Sequence, residues 1–140
     1  MDIVSDTNVV SELMQPQVPE FLKSWMIRRN QHTFYATSIT YAEVFYGIRI
    51  LPEGQRHEAL LSTASRVFDE SLAGQILVFD RIAATHYSQI AAHRREIGRP
   101  ISQFDAQIAA ICRANDAAIA TRNVRDFEDC GIEVLNPWAG

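Results

Sequence analysis

Short apolar runs alternate along this chain with longer stretches whose apolar positions fall three and four residues apart. These are the patterns of buried strands and amphipathic helices. Ile3-Val4 begins a first strand that ends at Ser5-Asp6, and after the polar turn Thr7-Asn8 the segment Val9 to Met14 reads as a short helix. A second helix starts within Pro16–Pro19, with Phe21, Leu22, Trp25 and Met26 as an apolar stripe for core or dimer contact. Thr33 to Thr37 suits a pleated surface and reads as the second strand. Ser38 or Thr40 caps the next helix, which turns Tyr41, Val44, Phe45 and Ile48 inward. Pro52-Glu53-Gly54 breaks it, and a more polar helix carries Leu60, Leu61, Val67 and Phe68 to about Glu70. Gln75 to Phe79 is the third strand. Asp80 caps a long helix through Ile82, Tyr87, Ile90, Ala91 and Ile97, closed by Gly98. The next helix opens at Ser102 and buries Ile108, Ile111 and Cys112. Ala117 to Ala120 is a fourth strand, broken by Thr121-Arg122-Asn123; Gly131 to Leu135 is the fifth, and Asn136-Pro137 ends the ordered part.

Strands and helices in alternation predict a parallel sheet with helices on both faces. All strand-to-helix turns then lie on one edge, where ligands bind in such folds. Asp6, Glu43 and Asp126 follow the first, second and fourth strands, and Asp105 opens the helix leading into the fourth. Each has a plain local reading. Thr40-x-x-Glu43, Ser102-x-x-Asp105 and Asn123-x-x-Asp126 fit helix caps, and Asp6 fits a turn. Together they say more. Four carboxylates over one edge repel each other unless a cation neutralises them. A hard divalent ion such as Mg²⁺ or Mn²⁺ prefers oxygen ligands and keeps several waters. Such an ion binds phosphates and activates water for in-line attack, so the chemistry that fits is phosphodiester hydrolysis.

Bulk properties narrow the choice further. The 140 residues suit one domain, 1–140, with a proper core, and 47% apolar and 21% charged residues are ordinary for a soluble protein. A net charge of −4 argues against gripping nucleic acid by charge alone, although a local basic patch remains compatible with it. Twelve of the thirteen basic residues are arginine, which suits bidentate phosphate contacts. Arg94, Arg95 and Arg99 gather at one helix end, and Arg122 and Arg125 flank Asp126, so these five are the candidates for holding substrate phosphates. The alternatives are a helix-dipole role for the first three and an acid partner for Arg122. Cys112 and Cys130 suggest no disulfide framework, the four histidines show no zinc spacing, and no apolar run approaches a membrane span. With no basic start or apolar signal core at the N-terminus, the expected compartment is the cytoplasm.

The segments Ser5-Asp6-Thr7-Asn8-Val9, Ala42-Glu43, Asp105-Ala106-Gln107-Ile108-Ala109-Ala110 and Thr121-Arg122-Asn123-Val124-Arg125-Asp126-Phe127 also carry a resemblance. In order and spacing they resemble the four acidic motifs of PIN-domain ribonucleases, and more narrowly the VapC-type toxins of type II toxin–antitoxin pairs, including the FitB-like branch. The resemblance implies a three-layer α/β/α fold with a five-stranded parallel sheet. It implies a Mg²⁺- or Mn²⁺-dependent endoribonuclease with Asp6, Glu43, Asp105 and Asp126 as catalytic, metal-binding acids. Thr121 and Asn123 would be polar supports, and Asn8 would orient Asp6. The implied partners are RNA, a cognate antitoxin, a second copy of the chain, and DNA only through the antitoxin. Ser5 departs from the pattern, since an apolar residue usually precedes that aspartate. Two other functions compete. One is a PIN-like subunit that only binds an antitoxin or regulates DNA. The other is a phosphatase, since Asp6-Thr7-Asn8-Val9-Val10 resembles the start of haloacid-dehalogenase-type enzymes; here, however, Asn8 stands in place of the second acid, and no lysine follows Lys23.

Overall fold

The computed structural model describes residues 1–72 and 74–140. Its strands are β1 (Asp2–Ser5), β2 (Thr33–Thr37), β3 (Ile76–Leu77), β4 (Ala117–Ala120) and β5 (Val134–Leu135). They form one parallel sheet in the order β3-β2-β1-β4-β5, with β1 in the centre. The connecting helices are α1 (Thr7–Leu13), α2 (Glu20–Ile27), α3 (Ser38–Arg49), α4 (Gln55–Arg66), α5 (Arg81–Glu96) and α6 (Gln103–Ala114).

Successive strand side chains point to opposite faces, so neighbouring apolar residues feed two separate cores. Val4, Tyr35, Leu77, Ile119 and Val134 pack with Ile90 of α5 and with Ile108, Ala109 and Cys112 of α6. On the other face, Ile3, Phe34, Ala120 and Leu135 pack with Val9 of α1 and with Leu22 and Trp25 of α2. Ala36 and Ile76 continue that face against Val10, Val67, Phe68 and Leu72. With both faces covered, consecutive strand residues are apolar, as in Ile3-Val4, Phe34-Tyr35-Ala36 and Ala117 to Ala120, a pattern typical of parallel sheets. The architecture is the three-layer α/β/α arrangement.

Local differences from the sequence expectations have identifiable causes. β3 and β5 are two residues each, shorter than the apolar runs that contain them. Both are edge strands, each paired on one side only. The cap of α3 is the last strand residue, Thr37, whose Oγ1 accepts the Thr40 N–H at 3.1 Å, and neither Ser38 nor Thr40 plays that part. Tyr41 does not face inward: it is 42% exposed, at the outer side of a ring cluster with Phe45 and Phe68. After α4 the backbone widens into a π-helical turn, Val67–Ser71. The wider turn brings Val67 and Leu72 onto the same side, and both are buried. Ser102 caps α6 as expected, through the Asp105 N–H at 3.2 Å, and Asp80 caps α5 through the Ala83 N–H at 2.9 Å. Asn123 makes no side-chain cap, so that reading of Asn123-x-x-Asp126 does not hold. Regular structure also continues past Pro137, in a 3₁₀ turn Pro137–Ala139 capped by the Asn136 side chain. Among the described residues no helix is long and apolar enough to cross a membrane.

Candidate active site

The central strand ends at the site. The Asp6 N–H donates to the Ala120 carbonyl at 3.0 Å, which continues the β1–β4 pairing by one residue, and the chain then turns into α1. Its carboxylate is only 6% exposed and is held from three sides. Oδ1 accepts the Thr7 N–H at 2.8 Å. Oδ2 accepts the Thr121 hydroxyl at 2.8 Å and the Asn8 amide at 3.3 Å. Asn8 in turn accepts the Arg122 N–H through Oδ1 at 3.2 Å, and the Asn123 N–H donates to Thr121 Oγ1 at 3.0 Å. Asn8, Thr121 and Asn123 thus join the turn after β1 to the turn after β4 around one carboxylate. Thr7 does the same toward α3, its hydroxyl donating to Glu43 Oε1 at 3.1 Å.

Asp6, Glu43 and Asp105 line one open recess of about 310 Å³, together with Thr7, Asn8, Ser11 and Asn123. Every lining side chain offers oxygen, and none is a cation. Asp126 does not line the recess. It is exposed, on a 3₁₀ turn Val124–Phe127, but its charge reaches both Asp6 and Asp105. Burial raises the pKa values of Asp6, Glu43 and Asp105 above the usual carboxylate range, and the neighbouring acids add a smaller push in the same direction. Desolvation therefore leads here, ahead of mutual repulsion. The hydrogen bonds from Thr121, Thr7 and Ser102 pull the other way without cancelling it.

This donor set fits a hard divalent cation. Among the described residues no three His, Cys, Asp or Glu side chains close around a single point as a full protein cage would. An open, oxygen-lined recess suits an ion that keeps several waters and takes only one or two carboxylates directly.

The five arginines divide. Arg122, Arg125 and Arg95 are exposed. Arg99 is tied to Glu128 at 3.2 Å and Asp129 at 2.8 Å. Arg94 is not on a rim at all, nor is it merely a helix-dipole complement: it is 4% exposed. Its guanidinium points inward and donates to the carbonyls of Arg99 at 2.7 Å and of Asp126 and Glu128 at 3.0 Å each, with Cys130 Sγ at 3.6 Å. It fastens the Asp126 turn to the end of α5, and its positive charge partly offsets the rise that burial imposes on the Asp105 pKa. An arginine buried against carbonyls looks, in sequence, like its exposed neighbour Arg95. Ser5 is fully buried beside Asp6, and its hydroxyl finds no partner among the described residues.

The sequence profile of the PIN domain family matches residues 3–132. The chain belongs to the PIN domain family. Among PIN relatives, "VapC ribonuclease Y4jK" of Sinorhizobium fredii is 33% identical over 136 residues, covering 97% of each chain. "Toxin FitB" of Neisseria gonorrhoeae is 32% identical over 136 residues, covering 97% of this chain and 98% of its own. Among solved PIN structures, the one described as "Structure of FitAB bound to IR36 DNA fragment" superposes with a TM-score of 0.84 at 32% identity. It covers 97% of this chain and 95% of the other. The all-parallel five-stranded sheet is therefore the PIN fold seen in those relatives.

Proposed function

We propose that this PIN-domain chain is a divalent-metal-dependent endoribonuclease toxin of a toxin–antitoxin pair. The observation that carries it is the recess at the end of β1. Three carboxylates line it, no lining side chain is a cation, and burial leaves them short of solvent. The names of the full-length relatives, a VapC ribonuclease and a toxin, support the same reading. Asp6, Glu43 and Asp105 would hold Mg²⁺ or Mn²⁺, one or two of them directly and the rest through bound water, with Asp126 acting at the margin through water or a second ion. When bound, the ion supplies the positive charge that binds a phosphodiester and favours attack by water. Thr121, Asn8 and Thr7 fix the Asp6 carboxylate so that it need not reorganise when substrate arrives. Glu43, with its pKa raised by burial, is better suited than a solvated carboxylate to accept a proton at a carboxylate oxygen. Arg122 and Arg125, with Arg95 and the partly paired Arg99, would meet the RNA backbone.

The partners in this reading are RNA and an antitoxin that contributes a basic side chain to the acidic recess, with DNA reached through the antitoxin. The similar structure of FitAB is described as bound to a DNA fragment. A second copy of the chain would complete the toxin. The deciding experiment is cleavage of structured RNA in Mn²⁺ or Mg²⁺, lost in EDTA and lost in Asp6→Asn. Cleavage that survives EDTA would remove the metal from the reading. Failure of the wild-type chain to cleave any RNA would favour the non-catalytic, antitoxin-binding alternative.

A further inference from the structure

The acidic recess poses a difficulty for a nuclease. The chain carries a net charge of −4 and concentrates carboxylates where a phosphate must approach. A bound ion and the exposed arginines would offset that charge locally, and an uncharged source of binding would add to them without opposing the carboxylates. Base stacking on an aromatic ring is such a source in proteins that bind single strands. Two hydrogen bonds away from Asp6, through Asn8, lies the backbone of Arg122. The Arg122 guanidinium stands over the ring of Trp138, 5.6 Å from its centroid.

That contact is loose. In the other arginine–tryptophan pair of the molecule, Arg29 lies 4.1 Å over Trp25. Arg122 is exposed, and among the described residues the ion pairs are both made by Arg99, so nothing acidic ties Arg122 in place. The ring beneath it is fixed. Trp138 is half-buried and packed against Phe21 with centroids 5.5 Å apart, and its backbone N–H donates to the Asn136 side chain at 2.9 Å, which holds the turn that carries the ring. A rigid aromatic with a movable cation above it is a preformed stacking surface, and a fixed ring loses little freedom when a ligand arrives.

We infer that Trp138 is a stacking platform for one base of a single-stranded RNA segment, beside the acidic recess, with Arg122 moving from the ring to a phosphate. This rests on the nuclease reading and adds to it a position outside the acidic motifs.

The test follows tryptophan emission while a short single-stranded RNA of mixed sequence is added, in Mg²⁺, to the full chain carrying Glu43→Gln to prevent cleavage. Trp25 is 1% exposed and shielded, so quenching reports Trp138. The expected result is quenching on binding. In addition, replacing one base at a time by an abasic site should weaken affinity about five- to hundred-fold at one position. Trp138→Leu, which keeps apolar bulk against Phe21, should abolish that positional loss. The abasic scan on the chain with Trp138 intact needs no change at this ring and stands even if Trp138→Leu folds poorly. A flat scan, absent RNA binding, or quenching that survives Trp138→Leu overturns the platform. So does a Trp138→Leu chain whose RNA affinity is unchanged while antitoxin binding falls, because the ring then faces a protein. Wild-type cleavage, measured alongside, separates the two levels. Metal-dependent cleavage with a flat scan removes only the platform, whereas no cleavage removes the nuclease reading itself.

Discussion

Replacing Arg94 by methionine tests the least expected feature of the site. The substitution keeps an unbranched side chain in the buried position and removes the guanidinium. Three carbonyls, those of Arg99, Asp126 and Glu128, then lose a charged donor. Hydrogen bonds to a charged group contribute about 1.5 kcal/mol each at the low end of their range, or about 4–5 kcal/mol for three. Relief from burying a charge, together with the apolar burial of the methionine, returns about 1 kcal/mol. The expected net loss is about 3–4 kcal/mol, a large share of the roughly 5–15 kcal/mol that stabilises a domain. At roughly 2–4 °C per kcal/mol, the melting temperature should fall by about 10 °C in a thermal melt followed by circular dichroism. Arg94→Lys keeps the charge but cannot reach all three carbonyls, so it should fall between wild type and Arg94→Met. A melting temperature for Arg94→Met within about 2 °C of wild type would refute the reasoning, since it would mean that water serves those carbonyls equally well.

The other predictions concern the acids and their surroundings. Asp6, Glu43 and Asp105 have folded-state pKa values raised by burial, so the folded chain holds their protons more tightly than the unfolded chain does. Their contribution is most favourable below the unfolded pKa and is lost as pH rises through that value and then the folded one. Without metal, Asp105→Asn should therefore gain on wild type in thermal melts between pH 4 and pH 7. It should also lose most of the roughly 1–3 kcal/mol that Mn²⁺ confers at ten to a hundred times its Kd. Equal metal-induced shifts in the two proteins would contradict the recess as a metal site. Arg122→Gln with Arg125→Gln should reduce the steepness with which RNA affinity falls as salt rises, and an unchanged slope in filter binding would clear both of phosphate contact. Ser5→Ala removes a buried hydroxyl that has no partner, so it should raise stability by about 1 kcal/mol and leave cleavage unchanged; a loss of stability in urea titration would point to a partner for that hydroxyl.

The order of the elements was legible because this fold is built from apolar periodicity. Thr33 to Thr37 and Ala117 to Ala120 emerge with their sequence boundaries intact. Gln75 to Phe79 and Gly131 to Leu135 do not, because hydrophobicity records burial, whereas strand length depends on how far a neighbour runs alongside. Placing Asp6, Glu43 and Asp105 together needed only the rule that parallel strands end on one edge. The same rule left Asp126 outside the recess, because a 3₁₀ turn carries it past the edge. What raises the acid pKa values was not legible. Like charge predicts repulsion as the cause, yet how deeply each carboxylate sits outweighs it, and depth is a property of the packed fold. Arg94 and Trp138 stayed hidden for a related reason: one is a charge turned inward, the other an aromatic beyond the last strand, and neither belongs to a pattern.

The pairing of β1 with β4 has a consequence for the chain as it leaves the ribosome. Asp6 is finished only when Thr121 reaches it, 115 residues later in the sequence. β2 ends at Thr37 and β4 begins at Ala117, a gap of 80 residues. At roughly 5–20 residues per second, translation takes about 4–16 s to cross that gap. Throughout that interval β1 has one bare edge, and its first acid lacks its hydroxyl donor. A site split this way stays incomplete until nearly all of the chain has been made. The delay is set by topology alone.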